Sequence, residues 1–314
     1  MTDLRPGAGG GLKVVAIADA DSFVKWSASL LAAVPGIRPQ LLLVRTPLTA
    51  SAAQQRTALA GTGIRESDVV RIAFRDAEAW LARHEPDVVV LAGRGPFVRL
   101  MGRVIDALPQ RPVTVSGLPG MAIPAQRGAL DYRRHTDLLV VHSHREQRAF
   151  AELGRRIGVQ IPMALATLPF ARGRERMLAA DRARVLAAGA SGVAGVAVAE
   201  RPQPAEAVAH RPPATDVVFA AQAMVPAERA EREKIAEMLI RAAEVDPTRR
   251  IVVKLRSRPG EAETHLERDS YPELLAGRMP SNLVVSYASM AEALSTAAGL
   301  VTVSSTAAIE AVAQ

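Results

Sequence analysis

The stretch that best indicates the fold is Gly299-Leu-Val-Thr-Val-Ser-Ser-Thr-Ala-Ala-Ile-Glu-Ala-Val-Ala-Gln314. Residues 300–303 form a short apolar, β-branched run, which predicts a buried strand. From Thr306 onward the Ala-rich spacing, with Ile309 and Val312 on one face, predicts a helix. The stretch therefore indicates one strand followed directly by one helix of an α/β sheet.

Ser304 and Ser305 lie where the predicted strand changes to the predicted helix. A hydroxyl at this position can cap a helix by accepting a hydrogen bond from a backbone N–H two or three residues later. The same hydroxyls, together with free N–H groups and the positive end of a helix dipole, also favour a phosphate site. Both interpretations, a capped helix and a phosphate site, stay open on this stretch alone.

Length and composition indicate a two-domain α/β protein. The chain has 314 residues, which favours two domains of about 150 residues each. Hydrophobic residues make up 49% of it and aromatic residues 4%, which is typical of a soluble fold built from Ala, Val and Leu. The net charge of +7 is carried almost entirely by arginine and favours anionic ligands. No basic run with interleaved aromatics occurs, so we expect no nucleic-acid partner.

Cysteine is absent from the sequence, which excludes disulfides, thiolate metal sites and a cysteine nucleophile. Residues 1–11 lack the basic-then-apolar pattern of a secretory signal, and no apolar run reaches membrane-spanning length. We therefore expect a cytoplasmic protein. A peripheral contact between its arginines and a membrane surface stays open.

Apolar runs alternate with helical patterns throughout residues 1–170, which predicts one doubly wound, Rossmann-like α/β domain. In such sheets ligands bind outside the carboxyl ends of the strands. Four loops follow predicted strands and should share that edge; they begin near Asp19, Gly93, Gly117 and His142.

Residues 171–213 predict a connector, first an Arg/Ala helix and then a flexible Pro-rich segment. Residues 214–314 predict a second Rossmann-like domain with the same alternation of strands and helices. We expect the two domains to face each other across a cleft. Because the sequence stops inside a predicted helix, we also expect the second domain to be incomplete.

Six stretches together resemble the glycosyltransferase B (GT-B) architecture, and most closely an uncharacterised bacterial glycosyltransferase family. They are Ile17-Ala-Asp-Ala-Asp-Ser-Phe-Val-Lys-Trp26, Gly93-Arg-Gly-Pro96, Val115-Ser-Gly-Leu-Pro-Gly120, Val141-His-Ser-His-Arg-Glu146, Val253-Lys-Leu-Arg256 and Ser304-Ser-Thr-Ala-Ala-Ile-Glu310. The last two also resemble, more distantly, the transferases that assemble capsular, sialic-acid or Kdo polymers. Those enzymes carry a His-Pro pair after the Val-Lys-Leu strand, whereas this chain has Arg256-Ser-Arg258-Pro259. The departure leaves the donor nucleotide undetermined.

The resemblance implies a nucleotide-sugar site in the second domain. Transfer from such a donor requires stabilisation of the departing phosphate, which cationic side chains and helix-start hydroxyls can provide without a metal. Arginine is suited to this because its planar fork binds phosphate. The candidate donor residues are Lys254, Arg256, Arg258, Ser304, Ser305, Thr306 and, on the ribose, Glu310. A solvated loop and a surface acid are the alternative interpretations.

Glycosyl transfer also requires a base that deprotonates the acceptor hydroxyl, which we expect from the first domain. Asp19, Asp21 and His144 are the candidate catalytic residues; capping by Asp21 is an alternative. The candidate acceptor or cleft residues are Lys25, Arg94, Gly117, Gly120, His142 and Arg145. His142 and His144 are one residue apart and point to different sides of an extended segment, so a metal pair is not expected.

The sequence thus predicts a glycosyltransferase that moves a sugar from a nucleotide-activated donor to a cell-envelope glycan or lipid-linked acceptor, with no metal or other cofactor. Two alternatives stay open. One is a sugar-nucleotide epimerase or hydrolase on the same fold, and the other is a non-catalytic nucleotide-sugar-binding protein. A nicotinamide dehydrogenase is disfavoured because the loop after the first strand lacks Gly-x-Gly-x-x-Gly.

Overall fold

The computed structural model describes residues 11–166, 168, 214–256, 258, 267–303 and 305–312. The chain forms two compact units, which divide between Phe170 and Ala171. The whole of the predicted connector, residues 171–213, lies outside the described residues, so its structure stays a prediction. None of the described helices is both long enough and apolar enough to cross a lipid bilayer.

The N-terminal unit is built on a seven-stranded parallel sheet in the order β3-β2-β1-β4-β5-β6-β7. The strands are β1 Leu12–Ala18, β2 Ile37–Arg45, β3 Val69–Ala73, β4 Val88–Ala92, β5 Val113–Gly117, β6 Leu138–Val141 and β7 Met163–Leu165. Strand order runs outward in opposite directions from β1 and β4. The topological switch point therefore lies between these two strands.

Six α-helices are described in this unit: α1 Asp21–Ala32, α2 Ala52–Leu59, α3 Ala77–His84, α4 Gly95–Asp106, α5 Arg127–Asp131 and α6 His144–Ile157. Local sequence signals fix several of their ends. Ser51 and Gln54 form a capping box at the start of α2. Ser143 caps α6, which ends at Gly158 with φ of 68°, a left-handed conformation that glycine adopts without strain.

Side chains of β1 alternate between two apolar layers. Ala16 and Ala18 pack with Trp26 of α1 on one face of the sheet. Val15 and Ile17 pack on the other face in the cluster that contains Met101 and Trp80. The sheet is thus buried on both faces, as the continuous apolar runs of its strands indicate.

The C-terminal unit contains a second parallel sheet, of four strands in the order β10-β9-β8-β11. These are β8 Asp216–Ala220, β9 Ile251–Lys254, β10 Leu283–Ser286 and β11 Ala297–Val301. The described helices are α7 Arg229–Val245, α8 Tyr271–Leu275, α9 Met290–Ser295 and α10 Ala307–Val312. The switch point of this sheet lies between β8 and β11. Both units are Rossmann-like, which confirms the fold class predicted from the sequence.

The last strand differs from its prediction. It spans Ala297–Val301 rather than residues 300–303, and it is an edge strand, with β8 as its one neighbour among the described strands. Val301 is 54% exposed and Val303 is 51% exposed. The prediction of a buried strand was wrong because a β-branched run favours extended backbone without determining which side chains are covered.

Candidate functional site

Asp19 lies at the switch point of the N-terminal unit, directly after the last residue of β1. Only 3% of it is exposed, and its Oδ1 atom has no hydrogen-bond partner in the described part of the chain. A buried oxygen without a partner is costly, about 1–3 kcal/mol, and is seldom kept without a reason. Asp19 is therefore the strongest candidate for a functional group in this unit.

Burial raises the pKa of Asp19 above its ordinary value. Its own backbone N–H, the positive charge of Arg94 and the hydroxyl of Thr46 act in the opposite direction and do not offset the effect of burial. Thr46 follows β2 and Arg94 follows β4, so the two strands that flank β1 each contribute a neighbour. A carboxylate with a raised pKa is suited to accept a proton.

Asp21 is the first residue of α1, where an acid interacts favourably with the helix dipole. The N-cap residue is Ala20, and it makes no side-chain capping bond. The interpretation of Asp21 as the cap is therefore wrong. Asp21 is half-buried, as is Lys25 one turn further along the helix.

The ring of His142 is used to connect neighbouring segments of the sheet edge. His142 is buried; its Nδ1 lies 2.8 Å from the carbonyl oxygen of Ala166, and its Nε2 lies 2.7 Å from that of Leu118. A neutral imidazole can donate only one of these two bonds. Both nitrogens face main-chain carbonyls, so the ring ties the loop after β5 to the chain after β7.

Glu146, which the sequence analysis did not select, supports the same loop. It is 1% exposed, and its carboxylate accepts hydrogen bonds from the backbone N–H groups of Ala122 at 2.6 Å and of His142 at 2.8 Å. The two candidate residues that open α6, His144 and Arg145, are exposed. The only sequence signal for Glu146 is its position three residues after Ser143, the spacing of a capping box.

Gly117 ends β5 against the indole of Trp26. A Cβ atom at Gly117 would lie 2.3 Å from Cζ2 of Trp26, so only glycine fits. Trp26 is fully buried, and its Nε1 has no hydrogen-bond partner among the described residues. Gly120 is half-buried in the following loop. Arg94 is exposed and is the N-cap residue of α4, with no side-chain capping bond.

An open pocket lies at the switch point of the C-terminal unit. Its volume is about 530 Å³. One wall comes from residues 224–227 after β8 and from Glu231, Lys234 and Ile235 of α7, while Val303 after β11 forms the other. The pocket is therefore where a doubly wound sheet is expected to bind a ligand.

The predicted donor cations lie on and after the neighbouring strand β9. Lys254 is its last residue; it is buried, and its Nζ donates a hydrogen bond to the carbonyl oxygen of Leu255. Arg256 and Arg258 are exposed. None of these three side chains lines the pocket described at residues 224–303.

The helix-start residues support capping more directly than phosphate binding. The backbone N–H of Ala307 donates to Oγ of Ser305 at 3.1 Å. Thr306 is half-buried and Glu310 is 7% exposed, the latter within the six-residue helix α10. Ser304 lies outside the described residues. The phosphate site at this stretch stays a prediction.

The model of a protein family described as "Putative glycosyltransferase (DUF6716)" matches residues 14–314. The chain belongs to this family. No curated protein is significantly similar in sequence to this DUF6716 chain.

Solved structures similar to the DUF6716 chain include sugar-nucleotide enzymes. The S. aureus MnaA–UDP co-structure covers 96% of this chain and 76% of its own, with a TM-score of 0.57 at 10% identity. A putative UDP-N-acetylglucosamine 2-epimerase from Listeria monocytogenes covers 94% and 75%, at TM-score 0.57 and 9% identity. The UDP-N-acetylglucosamine 2-epimerase from Rickettsia bellii covers 96% and 76%, at 0.53 and 11%. At these identities the similarity shows the fold alone.

The two switch points of the DUF6716 chain offer different chemistry. The N-terminal one presents a buried carboxylate with one oxygen that has no hydrogen-bond partner in the described part of the chain. The C-terminal one presents an open, largely apolar pocket with Lys234 and Glu231 at its wall. Within the described residues no three His, Asp or Glu side chains are close enough together to hold a metal ion.

Proposed function

We propose that this DUF6716 protein is a glycosyltransferase that moves a sugar from a nucleotide-activated donor to a hydroxyl group of its acceptor. The observation that carries the proposal is the buried, unpartnered Oδ1 of Asp19 at the N-terminal switch point. The family description and the two Rossmann-like units support the same reaction class. The chemistry uses no metal ion and no other cofactor.

In the proposed step, Asp19 is the general base. Its carboxylate accepts the proton of the acceptor hydroxyl while the hydroxyl oxygen forms a bond to the anomeric carbon of the donor. The bond from that carbon to the donor phosphate breaks, and the nucleotide leaves with the electron pair and the negative charge. Asp21 lies in a helix turn and is less buried, so it is the weaker candidate.

The donor binds to the C-terminal unit in this proposal. The pocket of about 530 Å³ is within the range of small-molecule sites, about 300–1,000 Å³. Lys254 and Arg256, at the carboxyl end of β9, follow the strand next to β8. They lie outside the wall of the pocket but at the same edge of the sheet, and in this proposal their positive charge favours the departure of the negatively charged nucleotide.

The acceptor is a cell-envelope glycan or a lipid-linked precursor, and the enzyme works in the cytoplasm. These finer assignments rest on the resemblance to polymer-assembling transferases. The arginine-rich composition would favour contact with an anionic membrane surface that carries such an acceptor.

The test uses the full chain with radiolabelled UDP-, GDP-, CDP- and CMP-sugars and membrane or glycan extracts as acceptors. Asp19→Asn should lower the transfer rate by about 10²–10⁴-fold, the usual contribution of a general base. Stabilisation by the donor nucleotide, measured by thermal shift, should stay the same. Asp87→Asn is the matched control, because Asp87 lies at the opposite end of the same sheet, where it accepts a bond from the Lys13 N–H at 2.7 Å.

Three results distinguish the alternatives. Conversion of the donor sugar without acceptor would support the epimerase or hydrolase. Nucleotide binding without turnover in any mixture would support a binding protein. Full transfer by Asp19→Asn would remove Asp19 from the mechanism.

A further inference from the structure

Arg133 is a buried residue that joins the ends of two strands in the N-terminal unit. It is 2% exposed. Its Nη2 donates hydrogen bonds to the carbonyl oxygens of Gly93 and Gly117, each at 3.2 Å. Its Nε donates to Oγ of Ser116 at 3.1 Å, and its Nη1 donates to the carbonyl oxygen of Ala129 at 3.2 Å. One guanidinium thus connects the carboxyl ends of β4 and β5 to the end of α5.

The charge of Arg133 has no carboxylate partner among the described residues. All four of its hydrogen-bond acceptors are uncharged oxygens. Burial lowers the pKa of Arg133 to about 10, so the group still carries its charge at neutral pH. Removing an unpaired guanidinium from water is strongly unfavourable. A residue that only connects these loops would need hydrogen-bond donors but no positive charge at this position.

The Gly93 carbonyl belongs to the loop after β4, which borders the switch point, and the Gly117 carbonyl lies at the end of β5, the next strand of the sheet. Gly93 is followed by Arg94, whose charge acts on the carboxylate of Asp19. Gly117 opens the loop that His142 and Glu146 hold from the other side. The guanidinium therefore determines how the loop after β4 stands relative to the loop after β5.

Geometry distinguishes arginine from lysine at this position. A guanidinium presents five N–H groups in one rigid plane, whereas an ammonium presents three on a flexible stem. Lysine would keep the positive charge and lose the fixed separation between the two carbonyls. The substitution Arg133→Lys therefore separates the role of the positive charge from the role of the planar guanidinium.

We propose that Arg133 is a positioning residue for acceptor binding: its planar guanidinium holds the Gly93 and Gly117 loops at the spacing that aligns an acceptor with Asp19. The acceptor role rests on the proposed function. The positioning of the loops does not, and it can be measured without a substrate.

The experiment compares the parent chain with Arg133→Lys by hydrogen exchange and mass spectrometry. Residues 93–97 and 117–121 should exchange about tenfold faster or more in Arg133→Lys, since bonds from a charged donor are lost in both loops. The central strands β1 and β4 should keep their exchange rates. Arg127→Lys is the matched control on α5, the helix that ends at Asp131, two residues before Arg133; Arg127 is exposed and pairs with Asp131 at 2.9 Å.

The functional measurement separates acceptor from donor binding. In Arg133→Lys the KM for the acceptor should rise about tenfold or more, while the KM for the donor stays at the parent value. Guanidinium ion added to Arg133→Ala should restore part of the loop protection, a rescue that a general loss of packing would not give. Ser116→Ala, which removes one acceptor, should loosen the same two loops to a smaller extent.

Unchanged exchange in both loops of Arg133→Lys and Ser116→Ala would overturn the inference, whatever the activity. Equal increases in the KM values of donor and acceptor would overturn the acceptor assignment. If the loops of Arg133→Lys exchange faster but the parent chain transfers sugar from none of the donors, the proposed function is refuted. The role of Arg133 in positioning the loops is then still supported.

Discussion

In each unit, a buried arginine of the described residues donates hydrogen bonds to loops at the strand ends. The two arginines differ in whether a carboxylate balances their charge. Arg232 of the C-terminal unit is 1% exposed and pairs with the carboxylate of Glu267. It also donates to the carbonyl oxygens of Gln222 at 3.0 Å and Asp269 at 2.9 Å, and its guanidinium lies 4.6 Å from the centroid of the Tyr271 ring. Among the described residues, the hydrogen-bond acceptors of Arg133 are carbonyl and hydroxyl oxygens, and none is a carboxylate. From this difference we expect that removing the two side chains will cost different amounts of stability, because only the loss of Arg232 breaks a buried ion pair.

The first strands of the two units show a matching contrast in their aspartates. Asp19 follows the carboxyl end of β1, and burial raises its pKa. Asp216 begins β8 at the amino end. Burial alone would raise its pKa too, but hydrogen bonds from Arg250 and Thr296 outweigh that effect and hold the pKa below its ordinary value. Asp216, at the amino end of β8, thus has hydrogen-bond donors within its own unit, while Asp19, after the carboxyl end of β1, keeps one oxygen without a partner in the described part of the chain.

The largest effect is expected from Arg232→Met. The change removes the ion pair with the Glu267 carboxylate and the hydrogen bonds to four carbonyl oxygens, those of Gln222, Ala223, Pro226 and Asp269, so the C-terminal unit should lose about 3–5 kcal/mol of unfolding free energy. Urea unfolding followed by hydrogen exchange in each unit measures it. A loss of unfolding free energy below about 1 kcal/mol would show that the ion pair between Arg232 and Glu267 contributes little to stability.

A smaller loss of unfolding free energy is expected from Arg133→Met. The change breaks no ion pair among the described residues, and it removes a buried charge, which is unfavourable, together with its hydrogen bonds. We expect the N-terminal unit to lose about 1–3 kcal/mol, measured in the same urea experiment. A loss as large as that of Arg232→Met would contradict the distinction between the two arginines.

The third prediction concerns Asp19→Asn, which should stabilise the protein at neutral pH. A carboxyl whose folded pKa is raised contributes most stability below its unfolded pKa and loses it as pH rises through the folded pKa. Replacing it should therefore raise stability by about 1 kcal/mol at pH 7, or about 2–4 °C in Tm, and by nothing below about pH 3.5. Thermal unfolding across this pH range measures the difference. A Tm at pH 7 below that of the parent would be evidence against a strained acid at this position.

Asp216→Asn should show the opposite dependence and the smallest effect. Its lowered pKa contributes stability above the unfolded value, and this stability is lost as pH falls through the folded pKa. Because the Arg250 side chain is 55% exposed, we expect a loss of only about 0.5 kcal/mol at pH 7 and none in strong acid. Thermal unfolding of the C-terminal unit against pH measures this. An effect that grows toward acid would contradict the assignment.

Much of the fold could be predicted because strand signals are local. The strands Val69–Ala73 and Leu283–Ser286 are each a short, mostly apolar segment rich in β-branched residues, which is a local signal that predicts a strand. The helix Tyr271–Leu275 was not predicted, although Ser270 and Glu273 form a capping box and Pro272 follows the first helical residue. The exposure of Val301 was not predictable locally, because it depends on whether another element covers the sheet edge.

The candidate site was predictable in outline and not in detail. The rule that ligands meet the carboxyl ends of parallel strands selected the loops at Asp19, Gly93 and Gly117. The same rule gave no reason to prefer Asp19 over Asp21, since burial depends on tertiary packing. Arg133 stands in a run of polar residues with Arg134 beside it, and nothing in that run marks which arginine is buried.

The strand order has a consequence for synthesis on the ribosome. In the N-terminal unit, β1 has both of its neighbours once residue 92 has emerged, so its central core can form early. In the C-terminal unit, β8 begins at residue 216 but waits for β11, which ends at residue 301, before its second side is paired. Domains generally fold as units from the N-terminus, and distant pairings form slowly. During synthesis, the edge of β8 that later pairs with β11 should therefore stay unpaired for longer than either edge of β1. We expect a chaperone that binds the nascent chain to bind at this edge.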